Sequence, residues 1–219
     1  MKRIASAAAL VVAWLSSTVT YAADPCSGFD WPSVTVTSAP YRIAVDHSRS
    51  MAQLTEIGKP ISPRAAYVTL GLTAVEYSLA VRSGIQMRRV GPDRWCAYPV
   101  TVEVEYGLED PVKVYIAREL KRGSCRYRTT MDHEMDHVRI HLAGVERAQR
   151  DIRNVMANVI ANKMPVSGRT GDEAAKAVRD VLVAAARKAV RPSSDEAKRR
   201  NAAIDTPASY EALRRSCPK

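Results

Sequence analysis

The chain has 219 residues, of which 46% are hydrophobic and 26% are charged, a composition typical of globular proteins. This composition excludes a collagen, a coiled-coil rod and a fully disordered chain, and the length fits one domain with at most one appendage. The 33 Lys and Arg residues outnumber the 23 Asp and Glu residues, and the formal net charge of +10 favours anionic partners such as nucleic acid, lipid headgroups or acidic envelope polymers.

The N-terminus has the pattern of a secretory signal peptide, which we place at residues 1–22. Two basic residues precede an apolar run over 4–15 that is too short to span a bilayer comfortably. Small residues at Thr20 and Ala22 suit cleavage after Ala22. The alternative is an uncleaved membrane anchor, but polar and turn-forming residues follow at once. We therefore predict an exported protein, periplasmic or secreted, with no transmembrane segment in the mature chain and no nucleic-acid partner.

The predicted mature chain contains four cysteines, Cys26, Cys96, Cys125 and Cys217. An even number of cysteines in an exported chain predicts disulfide bonds. Of the possible pairings, we favour Cys96 with Cys125 and Cys26 with Cys217; free or differently paired thiols are the alternative. No C-x-x-C spacing is present, which disfavours a cysteine zinc site or a thioredoxin-like redox site.

The first half of the predicted mature chain combines short strands with short helices. Apolar and polar residues alternate over 33–46, which predicts one or two strands, and residues 85–90 predict another. Two capping boxes predict helix starts. They are Ser50 with Gln53, which opens a short helix ending at Gly58, and Thr73 with Glu76, which opens a helix from about residue 74 to Gly84.

The clearest strand pattern lies over 100–106, where valines and a tyrosine alternate with polar residues. A turn at 107–111 follows, and residues 112–116 alternate again. Because the connection is short, we predict that the two runs form an antiparallel pair. The strand near 112–117 would then be a candidate edge to which an extended peptide could add.

At about Thr129 the spacing of apolar residues changes from every second position, typical of a strand, to that of a helix. Apolar residues then recur at helical spacing until the chain reaches Pro165, which predicts one long amphipathic helix. The remaining chain is rich in Ala, Arg and Lys and contains three further helix starts. These starts are Thr170 with Glu173, Ser193 with Glu196, and Thr206 before Pro207.

These elements predict an α+β protein in which a small antiparallel β-sheet packs on one long motif-bearing helix. We assign residues 23–164 to this domain. Residues 165–219 form a basic helical C-terminal extension.

The long helix carries the motif His133-Glu134-Met135-Asp136-His137. Residues four apart share one helix face, so both imidazoles can bind one Zn²⁺ while Glu134 reaches a water molecule at the open position. The ion acidifies that water, and Glu134 accepts its proton as general base. The motif therefore predicts zinc-dependent peptide hydrolysis, with His133 and His137 as metal ligands.

A third protein ligand is not marked by the motif. One ion hardly reaches both His133 and a residue eight positions later on a regular helix, which weakens the case for His141. The metzincin pattern also requires glycine at a position that Ile140 occupies. The candidates are His141, His47, Glu146, Asp151 and Glu173.

Several features resemble a family of bacterial predicted secreted zinc-dependent proteases over about residues 65–160. They are Gly71-Leu72-Thr73 before the predicted capped helix, the strand pair with Cys96, the run Val112 to Ala117, and Tyr127 leading to the motif helix. The resemblance implies a zincin-like α+β domain with zinc on the motif helix. It assigns functional roles to His133, Glu134 and His137.

We therefore expect a zinc metallopeptidase that acts on a protein or peptide crosslink of the cell envelope. One alternative is an envelope protein that binds metal without catalysis. Another is a basic module that binds anionic envelope polymers through its Arg- and Lys-rich tail. No phosphate-binding glycine loop and no G-x-S-x-G motif supports a nucleotide-binding or serine hydrolase function.

Overall fold

The computed structural model describes residues 24–58 and 68–218. The predicted signal peptide lies outside these residues. No helix in the described ranges is long and apolar enough to cross a membrane. The elements in chain order are β1 (Ser33–Thr37), β2 (Ile43–Asp46), α1 (Met51–Gly58), β3 (Gly71–Ala74), β4 (Tyr77–Gly91), β5 (Arg94–Leu108), β6 (Val112–Ile116), α2 (Cys125–Lys163), β7 (Val166–Gly168), α3 (Gly171–Ile204) and α4 (Pro207–Arg215).

The predicted α+β class is confirmed, but two mixed sheets replace the single antiparallel sheet. The first sheet has the order β1-β5-β4, with β7 also paired to β5, and the second has the order β2-β6-β3. β1 is parallel to β5 and β2 is parallel to β6, whereas the other pairs are antiparallel. The helix α2 packs against strands of both sheets and so connects them.

The predicted antiparallel pairing of 100–106 with 112–116 is wrong, although both runs are strands. β5 is already bonded to β1 on one side and to β4 on the other around Thr101 to Glu105. No edge of β5 is left there for β6, which instead lies between β2 and β3. The predicted substrate edge at 112–117 is therefore wrong as well, because both sides of β6 are paired.

The predicted helix over 74–84 is also wrong, because this segment belongs to β3 and β4. From Tyr77, β4 pairs with β5 along almost its whole length in a long hairpin. Apolar residues recur at every second position at Tyr77, Leu79 and Val81, which is the period of a strand. The many long-range backbone hydrogen bonds outweigh the local preference for a capped helix.

The long helix predicted from the apolar period is confirmed as α2, which begins at Cys125 and ends before Pro165. Ser124 caps it by accepting a hydrogen bond from the backbone N–H of Tyr127. Its apolar stripe is buried, and the residues that share this burial include Val138, Val145, Ile152, Met156 and Ile160.

The helix α3 packs antiparallel to α2, as contacts between their opposite ends show: Asp205 lies beside His133 and Ser193 lies near Gly144. Buried alanines of α3, among them Ala186 and Ala189, allow the helices to approach closely. The predicted helix start at Ser193 is wrong, because α3 is continuous there and Ser193 is buried against α2. The starts at Thr170 and Thr206 are confirmed.

Two disulfide bonds are present, but the predicted pairing is wrong: Cys26 bonds Cys96 and Cys125 bonds Cys217. Because β1 runs parallel to β5, the segment before β1 lies beside the start of β5, which contains Cys96. The antiparallel return of α3 brings the C-terminal residues back to the start of α2, which is Cys125. Sheet register and helix direction, which the cysteine spacing does not encode, thus decide both pairs.

Candidate metal centre

His133, His137 and Asp205 form a compact group whose potential ligand atoms lie within 4.8 Å of one another. The Nε2 atom of His133 lies 3.1 Å from Oδ1 of Asp205, and Nε2 of His137 lies 3.2 Å from the same oxygen. Both histidines are 8% exposed, and Asp205 is half-buried. Two imidazole nitrogens and one carboxylate, converging from one side, are a donor set that suits a catalytic zinc ion.

Each ligand position follows from the elements that carry it. The two histidines are four residues apart on α2, so their side chains share one face of the helix. Asp205 caps the C-terminus of α3 through its backbone N–H, and Thr206 directly after it caps the N-terminus of α4. The Asp205 carboxylate, at the junction of these two helices, lies beside both histidines of α2.

The charges of the cluster favour a cation. Burial lowers the pKa of His137, but the hydrogen bond and the negative charge of Asp205 outweigh this effect and raise the pKa to about 9. Burial likewise raises the pKa of Asp205, yet hydrogen bonds with both histidines hold it well below its usual range. The negative charge that attracts a proton to His137 would equally attract a divalent cation, which displaces that proton.

A chain of hydrogen bonds orients His137 from behind. Asn201 Oδ1 lies 2.8 Å from Nδ1 of His137, so Nδ1–H donates to it and Nε2 faces Asp205. Asn201 Nδ2 donates to Nε2 of His141 at 3.0 Å, and Nδ1 of His141 lies 2.7 Å from the Tyr77 hydroxyl. Burial and the nearby His137 lower the pKa of His141 to about 4, so His141 is neutral at pH 7 and can accept this bond.

Replacing Asn201 by leucine is expected to weaken zinc binding by about 10–100-fold, the usual effect of losing a partner that orients a metal ligand. The leucine leaves Nδ1–H of His137 without its acceptor and lets the ring rotate. Competition with a chromophoric chelator measures the change. Asn162→Leu is the matched control, since Asn162 is exposed on α2 and donates to the Asn158 carbonyl oxygen of the same helix. Equal affinities for the two variants would contradict the orienting role of Asn201.

Glu134 is 4% exposed and lies on the β3 side of α2. The Thr73 hydroxyl donates to its Oε2 at 2.8 Å, which fixes the carboxylate. Burial raises the pKa of Glu134, although both histidines and Thr73 oppose the shift. A fixed carboxylate with a raised pKa is suited to accept a proton near neutral pH.

Gly71 provides the space for this carboxylate. A Cβ atom at this position would lie 2.5 Å from Oε1 of Glu134 and 2.7 Å from Cγ2 of Thr130. Gly71→Ala is therefore expected to displace Glu134 and to destabilise the fold by about 1–3 kcal/mol, the usual cost of overpacking. Urea unfolding measures this loss. The control is Gly91→Ala, where the nearest contact is an ordinary 3.5 Å; a Gly71→Ala variant as stable as the control would contradict the close approach.

Tyr210 of α4 completes the group. Its hydroxyl donates to Oδ1 of Asp205 at 2.7 Å, and its ring centroid lies 5.5 Å from that of His133. Burial and the Asp205 charge raise the pKa of Tyr210, so it stays a donor.

Tyr210, His133 and Glu134 line a pocket of about 450 Å³ between β3, α2 and α4. We call this pocket the cleft.

The structure brings the three motif residues together, and Asp205 joins the histidines in place of the five candidate ligands considered from the sequence. His141 belongs to the hydrogen-bond chain behind His137, and Nε2 of His47 lies 2.8 Å from the Leu120 carbonyl oxygen. Glu173 accepts a hydrogen bond from the backbone N–H of Arg169. Glu146 lines a different pocket between α2 and α3, and Asp151 is not in the cluster.

Sequence reasoning missed Asp205, Asn201 and Tyr210, all of which lie in or after α3. The helix start at Thr206 is the one local signal near them, since it predicts a break in the chain where a polar side chain can turn inward. Comparisons of the chain with protein-family models, with curated proteins and with solved structures found no match.

Proposed function

We propose that this protein is an exported zinc-dependent peptidase. The observation that carries the proposal is the buried group of His133, His137 and Asp205, with Glu134 one residue after the first histidine and open to the cleft. Two imidazoles and a carboxylate leave a position for water or substrate, which is the ligand count of catalytic zinc sites. A structural zinc site would instead have four protein ligands.

Zinc, when bound, supplies a Lewis acid that acidifies water and polarises a carbonyl group. Glu134 takes up the proton of the attacking water and passes it to the leaving amine. Thr73 holds the carboxylate for this transfer through its bond to Oε2. Tyr210 fixes Asp205, and Asn201 fixes the tautomer of His137.

The substrate would enter along β3, which forms an edge of its sheet because β6 pairs with it on one side only among the described strands. Leu70 and Gly71, at the start of this strand, line the cleft beside Glu134. An extended peptide could add to the free edge by backbone hydrogen bonds and thereby pass the candidate metal centre.

Export and an envelope substrate remain part of the proposal. The two disulfide bonds are typical of proteins that fold in an oxidising compartment such as the periplasm. The resemblance to bacterial predicted secreted zinc-dependent proteases supports the same activity through His133, Glu134 and His137. Of its other features, the segment after Gly71-Leu72-Thr73 is strand and not helix.

The proposal is tested by comparing metal-free protein with protein reloaded with zinc. Both are incubated with a mixed peptide library, and new fragments are identified by mass spectrometry. We expect fragments with the zinc form and none with the metal-free form or with His137→Ala. Stoichiometric zinc in a folded protein that cleaves no peptide in the library would contradict peptidase function and favour a metal-binding protein without catalysis.

A further inference from the structure

Two arginines lie in the wall of the cleft, away from the candidate metal centre. They are Arg126, in the first turn of α2, and Arg214, near the end of α4. Among the described residues, Glu134 is the one carboxylate that lines the cleft, and it is buried at the metal end. From this charge distribution we infer that the cleft selects peptides carrying a carboxylate a few residues from the cleaved bond. This inference rests on the proposed function.

Arg126 offers a positive charge that no described residue compensates. No hydrogen bond or ion pair of its guanidinium group occurs within the described part of the chain, and the residue is exposed. The nearby Arg128, in contrast, donates a hydrogen bond to the Gly123 carbonyl oxygen. A guanidinium such as that of Arg126 can bind a carboxylate through two parallel hydrogen bonds.

Arg214 is only partly neutralised by its partner. It pairs with Glu211, but the same Glu211 carboxylate also pairs with Arg215 at 3.0 Å. Two guanidinium groups therefore share one carboxylate, and a net positive charge remains on this side of the cleft. A second anion can be accommodated by Arg214 without breaking the bond between Glu211 and Arg215.

The distance between Arg126 and Glu134 along α2 determines where the carboxylate must lie in the substrate. Arg126 precedes Glu134 by eight residues of α2, which is about 12 Å along the axis at 1.5 Å per residue. An extended peptide advances about 3.3 Å per residue, and the arginine side chain reaches part of the way back. The carboxylate is therefore expected about two to four residues from the cleaved bond.

Apart from Thr69, Thr129 and Thr130, the walls between these points are apolar. Met51, Leu70 and Leu213 line the cleft and present aliphatic or thioether surface to it. A substrate residue that packs on these three side chains would therefore be apolar, since a polar one would lose its hydration there without gaining a partner. The substrate class is thus a peptide that combines an apolar residue with a nearby carboxylate, provided by Asp, Glu or the end of the chain.

The test uses one cleaved peptide in which a residue two to four positions from the cleaved bond is Glu, Gln or Lys. A parallel pair places the chain end there as a free carboxylate or as an amide, which separates the two sources of the carboxylate. We expect wild-type kcat/KM to be about tenfold higher for a carboxylate peptide than for its amide counterpart. The difference should lie mainly in KM, because the contact is remote from the reacting atoms.

Arg126→Gln is expected to reduce that preference to less than about threefold. The double variant with Arg214→Gln should abolish it. Arg122→Gln is the matched control, because Arg122 is exposed and lies outside the cleft. Equal kcat/KM for the Glu and Gln peptides, or a preference that survives the double variant, would overturn the inference while leaving peptidase function intact.

A binding measurement keeps the two proposals separable. Fluorescence anisotropy of labelled Glu and Gln peptides with the Glu134→Gln variant reports recognition without turnover. Tighter binding of the Glu peptide that depends on Arg126 supports the inference even if no peptide is cleaved. Equal binding of the two peptides overturns it whether or not the zinc protein is a peptidase.

Discussion

Replacing Asp205 by alanine is expected to weaken zinc binding by more than about 100-fold. Even a residue that only orients a metal ligand contributes about 10–100-fold to affinity, and Asp205 is placed to bind the ion itself. Its Oδ1 lies about equally far from Nε2 of His133 and of His137, at 3.1 and 3.2 Å. Without it, the ion keeps two imidazoles and loses the negative charge that offsets its own.

Zinc affinity of this variant is measured by competition with a chelator, with circular dichroism to show that the fold is retained. Asp195→Ala is the control, because Asp195 is an exposed residue of the same helix whose carboxylate lies 3.8 Å from Nζ of Lys198. We expect the control to bind zinc as the wild type does. Unchanged affinity in Asp205→Ala would exclude Asp205 as a ligand and leave His133 and His137 without a third protein donor.

Replacing Glu134 by glutamine is expected to reduce peptide hydrolysis by about 10²–10⁴-fold while zinc stays bound. Glutamine has the same shape and can still accept the hydrogen bond from Thr73, which lies 2.8 Å from Oε2. It cannot accept a proton, so the attack of water loses its base. The metal ligands are not changed, and zinc content should equal that of the wild type.

Rates of peptide cleavage and zinc content are measured on the same protein samples. Glu146→Gln is the matched control, since Glu146 is exposed on the same helix and lines a different pocket. Its rate should equal that of the wild type. Hydrolysis at the wild-type rate in Glu134→Gln would show that another group is the base, even with zinc fully bound.

Features that depend on neighbouring residues could be predicted from the sequence. The helical period of the apolar residues predicts α2. His133 and His137 share one face of this helix because they are four residues apart. Alternation identified β5 and β6 for the same reason. In each case the local repeat and the tertiary packing favour the same structure.

Features that depend on distant contacts could not be predicted. Asp205 is 68 residues from His137, and only the antiparallel packing of α3 on α2 brings them together. Apart from the helix start at Thr206, nothing in the sequence around Asp205 distinguishes it from other acidic residues of the basic tail. The disulfide pairs depend in the same way on sheet register and helix direction.

Thr73 shows how a local pattern can mislead. Its spacing from Glu76 is that of a capping box, so the sequence predicts that its hydroxyl caps a helix. In the structure Thr73 lies on β3, and the same hydroxyl donates to Glu134. In both arrangements the Thr73 hydroxyl is a hydrogen-bonding group, so the residue type was a correct signal of a hydrogen bond. The partner could not be predicted, because Glu134 lies 61 residues away in the sequence.

Anomalous diffraction at the zinc absorption edge, recorded from crystals of zinc-loaded protein, tests the central claim most directly. We expect one strong peak at about 2.0–2.2 Å from Nε2 of His133, Nε2 of His137 and a carboxylate oxygen of Asp205. Glu134 should face the ion without binding it. A peak elsewhere on the molecule, or ligation by His141 in place of Asp205, would contradict the metal centre described here.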